Sequence, residues 1–175
     1  MSRAVLSIGS NLGDRLANLQ SVLYRLGGAV LTVSGVYQTA PWGGIEQDDF
    51  LNAVVVAADP ARDAPDWLRF GQECERAAGR VRKQRWGPRT LDVDIVDVDG
   101  KPFDGADLTA ELTAELTLPH PRAHERAFVL VPWLEADPDA AVPGRGPAAA
   151  LLAALPAAEL AGVHRRDDLE LVVRG

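Results

Sequence analysis

The sequence predicts an α+β fold in which an antiparallel sheet carries helices. Three observations point there. Short β-branched runs alternate with two amphipathic helical stretches. Glycine, proline or an Asp-Gly pair stands at most of the junctions. The order of these pieces over the first hundred residues is strand, helix, strand, strand, helix, strand.

Ala4–Ile8 is a short apolar run that ends at Gly9, a strand. Asp14 is placed to cap a helix whose Leu16, Leu19, Val22, Leu23 and Leu26 share one face, and Gly27-Gly28 stops it. Val30–Thr39 is rich in β-branched residues and reads as a strand. A loop with Pro41, Gly43 and Gly44 leads to a second strand over about Leu51–Ala58. Asp63 and Pro65 start a helix that runs to about Ala78 and ends at Gly79. Leu91–Val98 is the next strand, and Asp99-Gly100 signals a tight turn.

This βαββαβ order is the split unit of ferredoxin-like folds, whose helices cover one face of an antiparallel sheet. Beyond it, a helix is expected around Phe128–Glu135, an alanine-rich helix over Pro147–Leu155 that stops at Pro156, and a last strand over Asp168–Val173. The tandem Thr-Ala-Glu-Leu of Thr109–Leu116 is too short to be a repeat architecture. No linker divides the chain, so residues 1–175 are expected to form one domain.

Composition narrows the function. A net charge of −7 argues against nucleic acid or an anionic membrane as the main partner. Cys74 is the only cysteine, which excludes an intrachain disulfide and suits a reducing compartment. No stretch approaches the ~20 apolar residues that span a bilayer. A soluble cytoplasmic protein is expected.

Against that acidic background, Arg76, Arg80, Arg82, Lys83, Arg85 and Arg89 follow one another with no acidic residue between Arg76 and Thr90. Arginine forks match phosphate oxygens in pairs. Gly79, Gly87 and Pro88 make this stretch a loop able to close, and Trp86 within it needs a flat or apolar surface to cover. The loop runs into Asp92 and Asp94, whose parity opposes that of Leu91, Val93 and Ile95, so both carboxylates face outward on one side of a strand. Two strand residues rise about 7 Å, and at that separation two carboxylates repel by roughly 2 kcal/mol. Divalent cations would remove that cost, so the pair suits two Mg²⁺ ions. A lone Asp-x-Asp is more often a solvated strand face, the reading that fits Asp97 and Asp99.

Two further clusters stand out. After Tyr37-Gln-Thr-Ala-Pro-Trp-Gly-Gly come Phe50 and, two positions on and on the same strand face, Asn52. The Asn52 amide offers a donor and an acceptor to a heterocycle with adjacent amino and oxo groups; a core phenylalanine with a turn-capping asparagine is the plainer alternative. In Leu118-Pro-His-Pro-Arg-Ala-His-Glu-Arg-Ala-Phe128, His120 stands between two prolines, and His124 reads as a surface helix residue. The chain has neither a P-loop nor a Rossmann fingerprint, so a nucleotide would bind by other means.

These clusters, in this order, resemble the 6-hydroxymethyl-7,8-dihydropterin pyrophosphokinase family of folate biosynthesis. The resemblance is carried by Ile8-Gly-Ser-Asn-Leu-Gly, Tyr37–Gly43, Phe50–Val54, Gly79–Ile95 and Leu118–Pro132. It implies transfer of the β,γ-diphosphate of ATP to the hydroxymethyl group of the pterin, with release of AMP. Asp92 and Asp94 would then hold two Mg²⁺ ions. Arg82, Arg85, Trp86 and Arg89 would belong to the closing loop, with Arg82 and Arg89 among the catalytic residues. His120 and Arg126 would contact the triphosphate, with Thr117, Ile95, Gln72 and Glu75 near the nucleotide. Asn52 would read the pterin edge, Phe50 and Phe128 would sandwich the ring, and Thr39, Ala40, Trp42 and Trp86 would line its pocket. Trp42 is bulkier than the aliphatic residue usual there, and Glu115 falls where some relatives carry a basic residue. The rival reading is a non-catalytic pterin- or nucleotide-binding module of the same fold. Paired metal ligands count against it.

Overall fold

The structure, a computed structural model, describes residues 2–40, 47–79, 90–104 and 116–173. The expected βαββαβ core is present. β1 (Ser2–Ser10) leads to α1 (Arg15–Leu26), where Asp14 Oδ1 accepts the Ala17 N–H at 3.1 Å and Gly27, at φ 53°, ends the helix. β4 (Phe50–Asp59) is followed by α2 (Ala64–Ala77) and β5 (Asp92–Val98). The start of α2 is a reciprocal box: Asp63 accepts from the Asp66 N–H, and Asp66 from the Asp63 N–H.

The predicted strand Val30–Thr39 is two strands, β2 (Val30–Val33) and β3 (Tyr37–Thr39). Both pair with β4, β2 along Val55–Ala57 and β3 along Phe50–Asn52. The break falls at Ser34, whose hydroxyl takes the Val54 N–H at 2.9 Å in place of a backbone carbonyl. The main sheet is antiparallel throughout, in the order β10 (Val163–Arg165), β3, β4, β1, β5, with β2 beside β4.

The helices cover both faces of this sheet, not one. Ala4, Leu6 and Ile8 of β1 and Leu51, Ala53 and Val55 of β4 form a core with α1 and α2. Val5, Val54, Val56 and Val96 face the other way, onto α3 (Ala127–Ala136) and its neighbours. α3 was expected; it is apolar nearly all round because the sheet lies on one side of it and α4 (Ala148–Ala153) on the other. On this second face the apolar packing involves Val54 and Val56 of β4. Phe50 and Asn52, nearer the start of that strand, carry the same parity.

The end of the chain differs from expectation. After α4 come α5 (Ala157–Ala161) and β10 (Val163–Arg165), which pairs with β3. The predicted strand Asp168–Val173 is an unpaired strap. Leu169 and Leu171 pack into the α1 and α2 core, and Gln20 of α1 exchanges two hydrogen bonds with the Val172 backbone. Its i, i+2 apolar pattern is real, but it lies across helices, with no sheet edge beside it among the described residues. Two small two-stranded antiparallel sheets, β6 (Phe103–Asp104) with β7 (Thr117–Leu118) and β8 (Ala141–Val142) with β9 (Gly146–Pro147), complete the described fold. The Thr-Ala-Glu-Leu repeat lies almost wholly outside the described residues. Among the described residues no helix is long and apolar enough to cross a membrane.

Candidate active site

Strand parity collects the site. On β5, Asp92 and Asp94 lie half-buried on the α3 side of the sheet, while Val93 and Ile95 enter the opposite core. β1 opposes them with Gly9 across from Asp92 and Ser7 across from Asp94. On its other side Gly9 pairs with Asn52 of β4. Asn52, Gly9 and Asp92 therefore form one row across three strands. A Cβ on Gly9 would sit 3.1 Å from Asn52 Oδ1 and 3.6 Å from the Phe50 ring, so this glycine keeps the floor of the row open. Gly9 lies in the Ile8-Gly-Ser-Asn-Leu-Gly motif, but that motif gave it no place among the expected site residues. The signal that could have found it is parity: it ends a strand run in register with the later aspartates.

Asn52 is buried, and its Nδ2 donates to Thr39 Oγ1 at 2.8 Å. The Asn52 amide is thus held by β3, which rules out the turn-capping alternative. Phe50 pairs with Thr39 on the same face, and Ala40 is exposed beside it. Phe128 is half-buried at the start of α3, with the Arg126 guanidinium 5.4 Å from its ring centroid. Arg126 Nη1 also lies 4.0 Å from Asp94 Oδ2, which joins the start of α3 to the aspartate pair.

A second part of the site opens along the free edge of β5. A cleft there is lined by Gln72 and Glu75 of α2, by Asp92, Asp94 and Ile95, and by Thr117 and His120. Glu75 is buried, and its Oε2 accepts the Val93 N–H at 3.0 Å, so it closes a backbone donor that the edge strand would otherwise leave unmatched. Ile95 is buried as well and borders the cleft from the core side. Thr117 is exposed on β7.

β5 bulges at Val96: Leu6 pairs with Ile95 and Val5 with Asp97, and the Val96 carbonyl takes the His120 N–H at 2.9 Å. His120 lines the same cleft as the aspartates. Burial, then the Arg126 guanidinium, draws the His120 pKa down to about 4, against the pull of Asp92. The imidazole is therefore neutral at pH 7. Its Nδ1 accepts the Arg122 N–H at 3.2 Å, which leaves the proton on Nε2 as a donor.

Two expectations for neighbouring residues need correction. Asp97 is buried, not solvated: Oδ2 accepts the Gly100 N–H at 3.0 Å. His124 is mostly buried, in the one-turn helix Ala123–Glu125 that packs on α4, and is not a surface helix residue. Trp42, Arg82, Arg85, Trp86 and Arg89 lie outside the described residues.

The chain has known relatives. A family model described as 7,8-dihydro-6-hydroxymethylpterin-pyrophosphokinase matches residues 5–138. A protein of Mycobacterium tuberculosis (strain ATCC 25618 / H37Rv) named 2-amino-4-hydroxy-6-hydroxymethyldihydropteridine pyrophosphokinase is 53% identical over 176 residues, which cover 98% of this chain and 90% of its own. The protein of the same name from Methylorubrum extorquens is 40% identical over 148 residues, covering 82% and 88%. Among solved structures, Plasmodium falciparum HPPK-DHPS wild type with pteroate superposes with a TM-score of 0.68 at 13% identity, over 87% of this chain and 44% of that one. That last likeness concerns the fold alone, and this chain spans less than half of the solved one. The family match and the two bacterial relatives go further: the chain belongs to the 7,8-dihydro-6-hydroxymethylpterin-pyrophosphokinase family.

Proposed function

We propose that the row Asn52–Gly9–Asp92, with Asp94 beside it, is where this chain carries out the reaction of its family. That reaction transfers a diphosphate group from ATP to 6-hydroxymethyl-7,8-dihydropterin, a step of folate biosynthesis. The observation that carries the assignment is that one face of one sheet presents a buried amide and a carboxylate pair in register.

In this reading Asn52 recognises the pterin edge, with its Oδ1 as acceptor and Thr39 fixing its orientation. Phe50 and Phe128 hold the ring, and Ala40 and Trp42 border it. The triphosphate lies from the aspartates toward the cleft at the edge of β5, where Gln72, Ile95 and Thr117 border the nucleotide. His120 gives a neutral donor from Nε2 to a phosphate oxygen, and Arg126 a cationic one. Arg82, Arg85 and Arg89 add forked donors, and Trp86 covers the substrates. Phosphoryl-type transfer depends on positioning and charge neutralisation more than on covalent help, and these side chains supply both.

Asp92 and Asp94 fit Mg²⁺. They are hard oxygen donors on one face, few enough to leave coordination positions for phosphate oxygens and water. Two such ions, when bound, would supply charge neutralisation on the phosphates and orientation of the attacking hydroxyl. The protein acts as a monomer in this reading.

The test is AMP release from ATP, Mg²⁺ and the hydroxymethyl pterin. The unaltered chain should turn over, and Asp94→Ala should lose at least about a thousandfold in kcat while its circular dichroism is unchanged. Near-normal turnover in Asp94→Ala would remove the metal assignment.

A further inference from the structure

We infer that the C-terminal segment from α5 to Arg166 is a frame that positions the pterin walls, and that Arg165 is a positioning residue for pterin recognition. The inference rests on the assignment of Asn52 and its neighbours to the pterin. All of this segment lies beyond residue 138, where the match to the family model ends.

The frame holds α3 at both ends. At the start, Glu159 of α5 accepts the Ala127 N–H at 3.3 Å, next to Arg126 and Phe128. At the finish, Arg165 Nη2 donates to Glu135 Oε2 at 2.8 Å. The other oxygen of Glu135 accepts the Gly35 N–H at 2.7 Å and the Tyr37 hydroxyl at 2.9 Å. One carboxylate thus ties α3 to the break between β2 and β3 and to β10. Space at this junction is tight: a Cβ on Gly35 would stand 2.6 Å from Arg165 Nη2.

The same segment grips β3 from its two sides. Arg165 pairs with Tyr37, and Tyr37 pairs with Asn52 on the site face. Arg166, the next residue, turns the other way: its N–H goes to the Val36 carbonyl and its Nη1 to Gln38 Oε1 at 2.6 Å. Gln38 Nε2 then donates to Asp49 Oδ2 at 2.9 Å, one residue before Phe50. β3 is three residues long and contributes Thr39, the partner of the Asn52 amide. So short a strand has few bonds of its own to fix its position. Arg166 adds one through Gln38, Arg165 acts through the Glu135 carboxylate that takes the Tyr37 hydroxyl, and an error in β3 passes directly to Asn52.

The experiment is equilibrium binding of 6-hydroxymethyl pterin, followed by its fluorescence, to the full chain loaded with a non-hydrolysable ATP analogue. Arg165→Ala and Tyr37→Phe should each weaken pterin binding by about fivefold or more. Affinity for the analogue and kcat at saturation should stay within about twofold, and Arg165→Lys should recover most of the loss. The positioning role of the frame is overturned if both variants bind pterin normally, or weaken both ligands equally. It is also overturned if they only lower the melting temperature. Tyr37→Phe removes a single hydroxyl and answers the question even if Arg165→Ala does not fold. Asn52→Ala, measured alongside, separates the two ideas. Loss of binding there with none at Arg165 ends the positioning role alone; normal binding there ends the pterin assignment beneath it.

Discussion

At the scale of single residues, the site depends as much on a missing side chain as on those present. Under the proposed assignment Gly9 leaves room for the pterin, because it has no Cβ to meet Asn52 Oδ1. Gly9→Val should fold, since valine suits a central strand, yet raise KM for the pterin by about tenfold or more with KM for ATP unchanged. Steady-state kinetics on the two substrates checks this. Asp97 allows a different test. Burial, helped by nearby Asp99, raises its pKa above that of the unfolded chain, against the Gly100 hydrogen bond. Its contribution to stability is therefore present below the unfolded pKa and is lost as pH rises through the folded one. Asp97→Asn should melt higher than its parent at pH 7, by roughly 3 °C, with the gap closing toward pH 4. Thermal denaturation across that range decides it. Parity alone makes Asp92, Asp94 and Asn52 legible in the sequence. The position of Asp97 is not legible there: regular alternation would group it with Leu91, Val93 and Ile95, and the bulge at Val96 sets it across from Val5 on the opposite face of the sheet.

At the scale of elements, the edge strand β5 is stabilised from outside the sheet. Its Val93 N–H finds Glu75 on α2, and α2 comes close enough because Gly71 faces Val93, where a Cβ would lie 3.1 Å from Val93 Cγ1. Glu75→Ala should cost about 1–3 kcal/mol, seen as a lower urea midpoint with unchanged m-value, because it leaves a buried donor unmatched. Glu75→Gln keeps an acceptor and should cost less. The helices α1 and α2 are readable from their caps and apolar faces, since those signals are local. The division of Val30–Thr39 is not. It depends on Ser34 reaching Val54, a residue that only the folded sheet brings near.

At the scale of the whole molecule, the βαββαβ order leads to the sheet and one layer of helices, because short connections leave few ways to arrange six pieces. The second layer is harder to foresee. The apolar surface of α3 declares a buried helix without saying which face of the sheet it covers, and the last strand is three residues with no strong pattern. The layout of the sheet also bears on substrate choice. Asn52, Gly9 and Asp92 stand on consecutive strands, so the amide and the first carboxylate are separated by two strand spacings, about 10 Å. Under the proposed assignment the sheet is a gauge: a bicyclic alcohol anchored at one mark reaches the other, whereas a single-ring analogue gripped by the same amide would leave its hydroxyl stranded short of the phosphates.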